Sequence, residues 1–221
     1  MFVSQRIKTI GDFIESGDVL VDVGADHGLL ELYLLARHKD IFITAIENKS
    51  GPFAILDKNL RGFNNVRLSL SDGLDDIDPN TTTIVIAGMG GLNIKKILYK
   101  NQKKLNSIQK IILDAHRDID VARKTVTNYG FKINKEIIVY EDEKFYVINE
   151  FLKVNKAIKY SNDEIEFGYK IYRDILWPKY RDHLIKRNEE TLQKIENNSK
   201  NQNNILKLKK LNERLLSYGK D

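Results

Sequence analysis

The residues best able to do chemistry stand in turns that follow short apolar runs. The first group is Asp22-Val23-Gly24-Ala25-Asp26-His27-Gly28, directly after Val19-Leu20-Val21. A buried strand breaking into a glycine turn before a helix is how nucleotide-binding folds present a ligand to a strand end. A pyrophosphate needs close backbone approach and a helix N-terminus free of negative charge. The dinucleotide pattern G-x-G-x-x-G fails here, because Asp26 stands at the second glycine. A carboxylate repels phosphate and suits a cation. S-adenosylmethionine (SAM) offers an ammonium and a sulfonium and no phosphate, so the loop fits SAM better than NAD. A plain strand-to-helix turn capped by Asp26 would use the same residues.

Three further groups follow in order. Glu47 and Asn48 close the run Ile41–Glu47, and an acid there can accept both ribose hydroxyls of a nucleoside. Asp72-Gly73 follows Val66–Leu70; Asp72 can accept an adenine amino group, with Gly73 leaving room for the ring. Each of these is also an ordinary surface acid or Asp-Gly turn. The succession, one acid after each run, is what points to a nucleoside. The fourth group, Ala87-Gly88-Met89-Gly90-Gly91, lacks the Asp/Asn-Pro-Pro-aromatic motif usual in enzymes that methylate exocyclic amines of bases. Its glycines let backbone groups line a flat slot, or simply form a flexible turn.

These groups need a scaffold that brings strand ends together. Strand-length apolar runs occur at 18–23, 41–47, 66–70, 83–87 and 110–113. Helical spacing fills 29–37, 53–60, 92–99 and 119–129. The alternation predicts a parallel sheet covered on both faces. Runs at 135–140 and 145–152 are separated only by Glu141–Lys144, too short for a crossover, and so pair antiparallel. Beyond Lys153 the pattern turns helical: 163–177, broken by Pro178, then 180–195 and 205–216 around a polar turn at 197–204. Ile205, Leu208, Leu211 and Leu215 share one stripe, as in a helical hairpin. The expected domains are 1–153 and 154–221.

The 221 residues include no cysteine, which removes disulfides, thiolate metal sites and cysteine nucleophiles and fits a reducing compartment. No stretch reads as a signal peptide or a membrane span, so a cytoplasmic protein is expected. Net charge is +6 over 152–221 and −1 over 1–151. A basic tail on a near-neutral domain suits a polyanion partner, though a solvated lysine-rich surface has the same composition.

The combination resembles the TrmK family of bacterial tRNA adenine-N1 methyltransferases, which act at position 22. The matching pieces are Asp22–His27, Glu47 with Gly51-Pro52-Phe53, Asp72-Gly73-Leu74, and Ile84–Gly91; Ser4 and Arg6 look like the family's opening segment, and Glu141–Tyr146 like its hairpin turn. Two departures stand out. The family loop usually continues Asp-His-Ala-Tyr-Leu-Pro, where this chain has Asp26-His27-Gly28-Leu29-Leu30-Glu31. After the fifth strand Asp114-Ala115-His116 replaces an expected Gln-Pro-Asn.

The resemblance implies a class I SAM-dependent methyltransferase domain, Rossmann-like α/β, with a C-terminal coiled-coil-like helical hairpin. It implies SAM held by Arg6, Asp22, Gly24, Asp26, His27, Glu47, Asn48, Asp72, Gly73, Gly88 and Met89. Adenine N1 carries a free lone pair and needs no general base, so alignment dominates. Asp26, Asp114 and the Gly88 carbonyl are candidates to stabilise the cationic product, and His27 or His116 to stack on or bond the base. N1 lies on the pairing edge, so the base must be turned outward. Lys95, Lys96, Lys100, Lys103 and Lys104, with Arg181, Lys186, Arg187, Lys207, Lys209, Lys210 and Arg214 in the tail, are the candidate phosphate contacts. A monomer acting on tRNA, with no metal and no membrane, is expected. Left open are a methyltransferase on another RNA or small molecule, and a non-catalytic interaction protein on a degenerate nucleotide-binding fold.

Overall fold

Val19–Val23 (β1) is buried from Leu20 onward because it lies mid-sheet with partners on both edges. It runs parallel to Phe42–Glu47 (β2), with Leu20 opposite Ile43, and to Thr83–Gly90 (β4), with Leu20 opposite Thr83. Val66–Leu70 (β3) forms the outer edge beside β2, and Lys110–Arg117 (β5) lies beside β4. The computed structural model describes residues 3–37, 40–195 and 201–220. Among them the seven strands form one sheet in the order β3-β2-β1-β4-β5-β7-β6. Phe131–Glu141 (β6) and Lys144–Lys153 (β7) make the antiparallel finish, with β7 against β5. The strand order reverses between β1 and β4, which opens a crevice at their carboxyl ends. No helix in the described residues is long and apolar enough to cross a membrane.

The expected mixed sheet is present, with longer strands beside the crevice. β4 runs on to Gly90 and β5 to Arg117, and their register shifts around Gly88 and Met89. Gly88 takes φ +76°, which only glycine adopts without strain, so pairing continues past the turn expected at Ala87. Helices Leu29–Leu35 (α2), Ser50–Leu60 (α3), Gly91–Lys100 (α4) and Ile119–Asn128 (α5) occupy the alternating gaps. α2 stops at Leu35, two residues short of the expected Arg37. Asp26 does not cap it. Gly28, at φ 77°, is the N-cap, and Asp26 itself sits in the left-handed region at φ 52°.

One helix had no signal in the periodicity. Gln5–Gly11 (α1) begins at Ser4, whose hydroxyl accepts from the Ile7 amide, and is too short to show a stripe. Its leading amides donate to a distant carboxylate: Glu141 accepts from the Gln5 amide at 2.8 Å and the Arg6 amide at 3.2 Å. An anion at a helix N-terminus is favourable. Ile10, Phe13 and Ile14 pack in the core with Leu30, Leu34 and Leu56. Glu141 is held in place by a tight β6–β7 turn through Asp142 and Glu143, both at positive φ (48° and 60°).

The chain divides into two compact units, Met1–Lys159 and Tyr160–Asp221. In the second, the helix expected over 163–177 is only Asn162–Glu166 (α6), closed by a reciprocal Ser161–Glu164 capping box. Trp177–Ile195 (α7) includes Pro178 as its second residue. Proline lacks only an amide that a first turn leaves unbonded, so it starts this helix and does not end one. Gln202–Ser217 (α8) packs on α7, Asn188 Nδ2 donating to Asn212 Oδ1 at 2.7 Å. Leu192 and Leu215 are buried there. Of the polar turn at 197–204, residues 197–200 lie outside the described residues.

Candidate active site

A cavity of about 570 Å³ opens at the carboxyl ends of β1, β2, β3 and β4. The successive strands each contribute an acid. Asp22 ends β1 nearly buried, Glu47 ends β2, and Asp72 follows β3 on the exposed rim. Glu47 Oε1 accepts from the Asn48 and Lys49 amides, both at 2.9 Å, so its own turn fixes the carboxylate. Oε2 carries no such bond. Burial, the largest effect, pushes the Asp22 carboxyl up to about 6; Glu31 and Arg6 act against the rise and Glu47 adds to it.

All eleven residues expected to hold a cofactor line this one cavity: Arg6, Asp22, Gly24, Asp26, His27, Glu47, Asn48, Asp72, Gly73, Gly88 and Met89. Two glycines combine a left-handed backbone with a close neighbour. A Cβ at Gly24 (φ +83°) would lie 2.6 Å from Met89 Cε, and one at Gly73 (φ +61°) 3.2 Å from Ile97 Cγ2. At Gly88 the nearest atom would be His116 Cε1 at 4.0 Å, so only the backbone angle requires glycine there. Asp26 and His27 lean on each other at 3.3 Å and stay largely solvent-facing.

Of the four residues expected at the reacting centre, Asp26 and Gly88 line the cavity, while Asp114 and His116 stand beside it. Arg6 joins the two sets. Its Nη1 lies 2.5 Å from Asp114 Oδ2 and 3.5 Å from His116 Nε2, and its guanidinium lies over the Tyr146 ring at 5.4 Å. His116 meets the same ring edge-on, also at 5.4 Å. Asp114 is wholly buried, and its Oδ1 has no hydrogen-bond partner among the described residues.

The lysines of α4 divide into two sets. Lys95 points outward, whereas Lys96 and Lys100 line the cavity. Lys100 Nζ is 2.7 Å from Asp75 Oδ2 and 3.4 Å from Asp72 Oδ2. Lys104 Nζ donates to the Leu74 and Asp75 carbonyls at 2.6 and 2.8 Å. Both therefore tie α4 and its exit to the Asp72 turn. In the second unit, Lys186, Arg187, Lys207 and Lys210 are exposed, Arg181 pairs with Asp182, and Arg214 with Asp163 and Glu166. Sequence reasoning missed Asn93, Ile97 and Asn101 in the lining and Tyr146 beside Arg6. Asn93 had a signal, two residues past the glycine run; Tyr146 had none, since its proximity comes from sheet pairing. No group of three or more His, Cys, Asp or Glu that could hold a metal occurs among the described residues.

The donor set suits SAM. Acids offer hydroxyl and amine acceptors and cationic complementarity, and nothing in the loop replaces the amide cradle of a pyrophosphate. Comparison with known proteins agrees. Residues 3–149 match the family described as a methyltransferase domain. A Bacillus subtilis tRNA (adenine(22)-N(1))-methyltransferase is 31% identical over 150 residues, 66% of this chain and 63% of that enzyme. The match thus spans less than two thirds of that relative's length. Among solved structures, an uncharacterised Listeria monocytogenes protein superposes with TM-score 0.89 at 27% identity, covering 98% of this chain and 99% of its own. Streptococcus pneumoniae Sp1610, a candidate tRNA (m1A22) methyltransferase solved with S-adenosyl-L-methionine, gives TM-score 0.81 at 26% identity, covering 97% and 100%. Sheet order, cavity and family match agree: the chain belongs to the methyltransferase-domain family.

Proposed function

We propose that this protein methylates N1 of the adenine at position 22 of tRNA, using SAM. The observation that carries the reading is the row of strand-end acids, Asp22, Glu47 and Asp72, around one cavity. Glu47 receives the ribose hydroxyls, Asp72 the adenine amine, and Asp22 with Asp26 the cationic end of the cofactor. SAM supplies an electrophilic methyl group when bound. Adenine N1 attacks with its own lone pair, so the protein's work is alignment and exclusion of water, with no base required.

The product base is cationic. Asp26, exposed in the cavity lining, and the Gly88 carbonyl, at the shift in β4–β5 pairing, are the groups that would meet that charge. Asp114 acts at one remove, holding Arg6 at 2.5 Å and standing 3.4 Å from His116 Nε2. The target base is turned out of its stack, as its pairing edge requires. Exposed Lys95, Lys186, Arg187, Lys207 and Lys210 contact phosphates, and the protein acts as a monomer without metal.

Methyl transfer from labelled SAM to tRNA transcripts tests this. Label should appear as 1-methyladenosine on a transcript with adenine at position 22, and not on a twin with guanine there. No label on either, with SAM bound, overturns the substrate assignment and moves the reaction to another RNA or a small molecule.

A further inference from the structure

One carboxyl is hidden behind the acids that the cavity displays. Glu31 is the third residue of α2 and is 0% exposed. Neither of its oxygens meets a well-aligned donor among the described residues, and the one N–H that favours its anion is the main-chain amide of Glu31 itself. The polar group it faces is the Asp22 carboxyl, and the two share a side-chain hydrogen-bonding contact. Two carboxyl groups can bond only when one of them carries a proton. Burial pushes Glu31 well above the usual carboxyl range, and the Asp22 charge adds to that. Asp22 rises only to about 6, through burial. Glu31 is the more deeply enclosed of the two, with both oxygens buried, while Asp22 lines the cavity together with Arg6, so the proton belongs to Glu31 and the charge to Asp22. The other groups acting on Asp22 are Arg6 from α1, which favours the anion, Glu47 from β2, which opposes it, and the Val23 backbone, which favours it. Glu31 is faced by Asp22 and its own main chain.

A buried carboxyl that only filled space would be inferior to leucine, which has no polar atoms to desolvate. We infer that Glu31 is a positioning residue for the cofactor site: its acid O–H donates to the Asp22 carboxylate and fixes where that anion points. The inference rests on the cofactor reading of the cavity. An anion anchored from behind presents its free oxygen in one orientation, so no ordering is needed when the cationic ligand arrives.

The test is calorimetric binding of S-adenosylhomocysteine, which retains the ammonium, between pH 5.5 and 8.5. Glu31→Gln keeps a donor in place, whereas Glu31→Leu removes it. Glutamine should bind within about 2-fold of wild type, and leucine about 10-fold more weakly, the scale of one lost hydrogen bond to a charged group. Leucine should also move the acidic limb of the affinity profile upward by about one pH unit, because Asp22 loses a bond that favours its anion. Infrared spectra should show a protonated-carboxyl band at pH 8 that Glu31→Gln abolishes. Leucine matching wild type in affinity and limb overturns the inference, as does an equal loss in both variants with no shift of the limb. So does absence of the infrared band. Failure of wild type to bind at any pH overturns the cofactor reading itself, a distinct result.

Discussion

Replacing Arg6 with methionine should expose how far the site depends on α1. Arg6 bonds the wholly buried Asp114 at 2.5 Å and is itself a quarter exposed, with His116 Nε2 3.4 Å from the same oxygen. Removing one member of a buried pair leaves an uncompensated charge and costs about 3–5 kcal/mol. The partial exposure of Arg6, and the His116 ring that remains beside Asp114, place the expected loss at the lower end, about 3 kcal/mol. For a chain of this size that corresponds to a fall in Tm of about 6–12 °C. The bonds from the Gln5 and Arg6 amides to Glu141 use main-chain atoms and survive the change, so the loss belongs to the side chain. Asp114→Asn alone should cost less, because Arg6 can turn to solvent. The double variant should recover much of the penalty, giving a coupling of about 2 kcal/mol. Melting should be followed by circular dichroism, since the single tryptophan, Trp177, lies in the second unit. A coupling below about 0.5 kcal/mol would refute the claim that this pair holds α1 to the sheet.

Four other outcomes are expected. The raised Asp22 carboxyl, about 6 against 3.8, means that the folded state keeps a proton that the unfolded chain releases between those values. Stability then falls as pH rises through that window, by about 3 kcal/mol for this group; urea midpoints should show wild type losing that much more than Asp22→Asn between pH 4 and 7, and equal losses would discount the burial. Gly91→Ala would place a Cβ 1.9 Å from the Asp118 carbonyl oxygen, so α4 must leave its seat on α5, at a cost of about 3 kcal/mol read by thermal melting. Lys100→Met should raise the KM for SAM and leave that for tRNA unchanged, because Lys100 is engaged with Asp75 and Asp72; the reverse pattern would return Lys100 to the RNA surface. Neutralising Lys186, Arg187, Lys207 and Lys210 together should lower the slope of log affinity for tRNA against log salt by about 3, and an unchanged slope would take the second unit out of RNA binding.

Much of the cavity was legible because its residues follow strands. Asp22, Glu47, Asp72 and Gly88 each end an apolar run, and parallel order puts such ends together whatever the packing. What was not legible depends on contacts between distant segments. α1 has seven residues and no stripe, and its N-terminus is satisfied by Glu141 from the far hairpin. The Arg6–Asp114 pair spans 108 positions and has no local signature. Pro178 misled because its effect depends on where a helix starts, which Trp177 fixes by burial and not by pattern. Lys100 reads as a phosphate ligand from its charge; its pairing with Asp72 and Asp75 arises because the loop after β3 lies beside α4, which no local pattern shows.

The bond between α1 and Glu141 bears on the order in which the chain acquires function during synthesis. The ribosome delivers α1 first, yet its carboxylate partner arrives about 135 residues later, in the next-to-last strand. The central parallel strands can pair before then and Asp114 is already made, but the segment carrying Arg6 still lacks the carboxylate that meets its leading amides and the Tyr146 ring. Contacts of such sequence separation form late, since chain closure must precede any gain from them. A nascent chain stalled before residue 141 should therefore hold a crevice whose Arg6 wall is not yet fixed, and become competent only when the closing hairpin has cleared the exit tunnel.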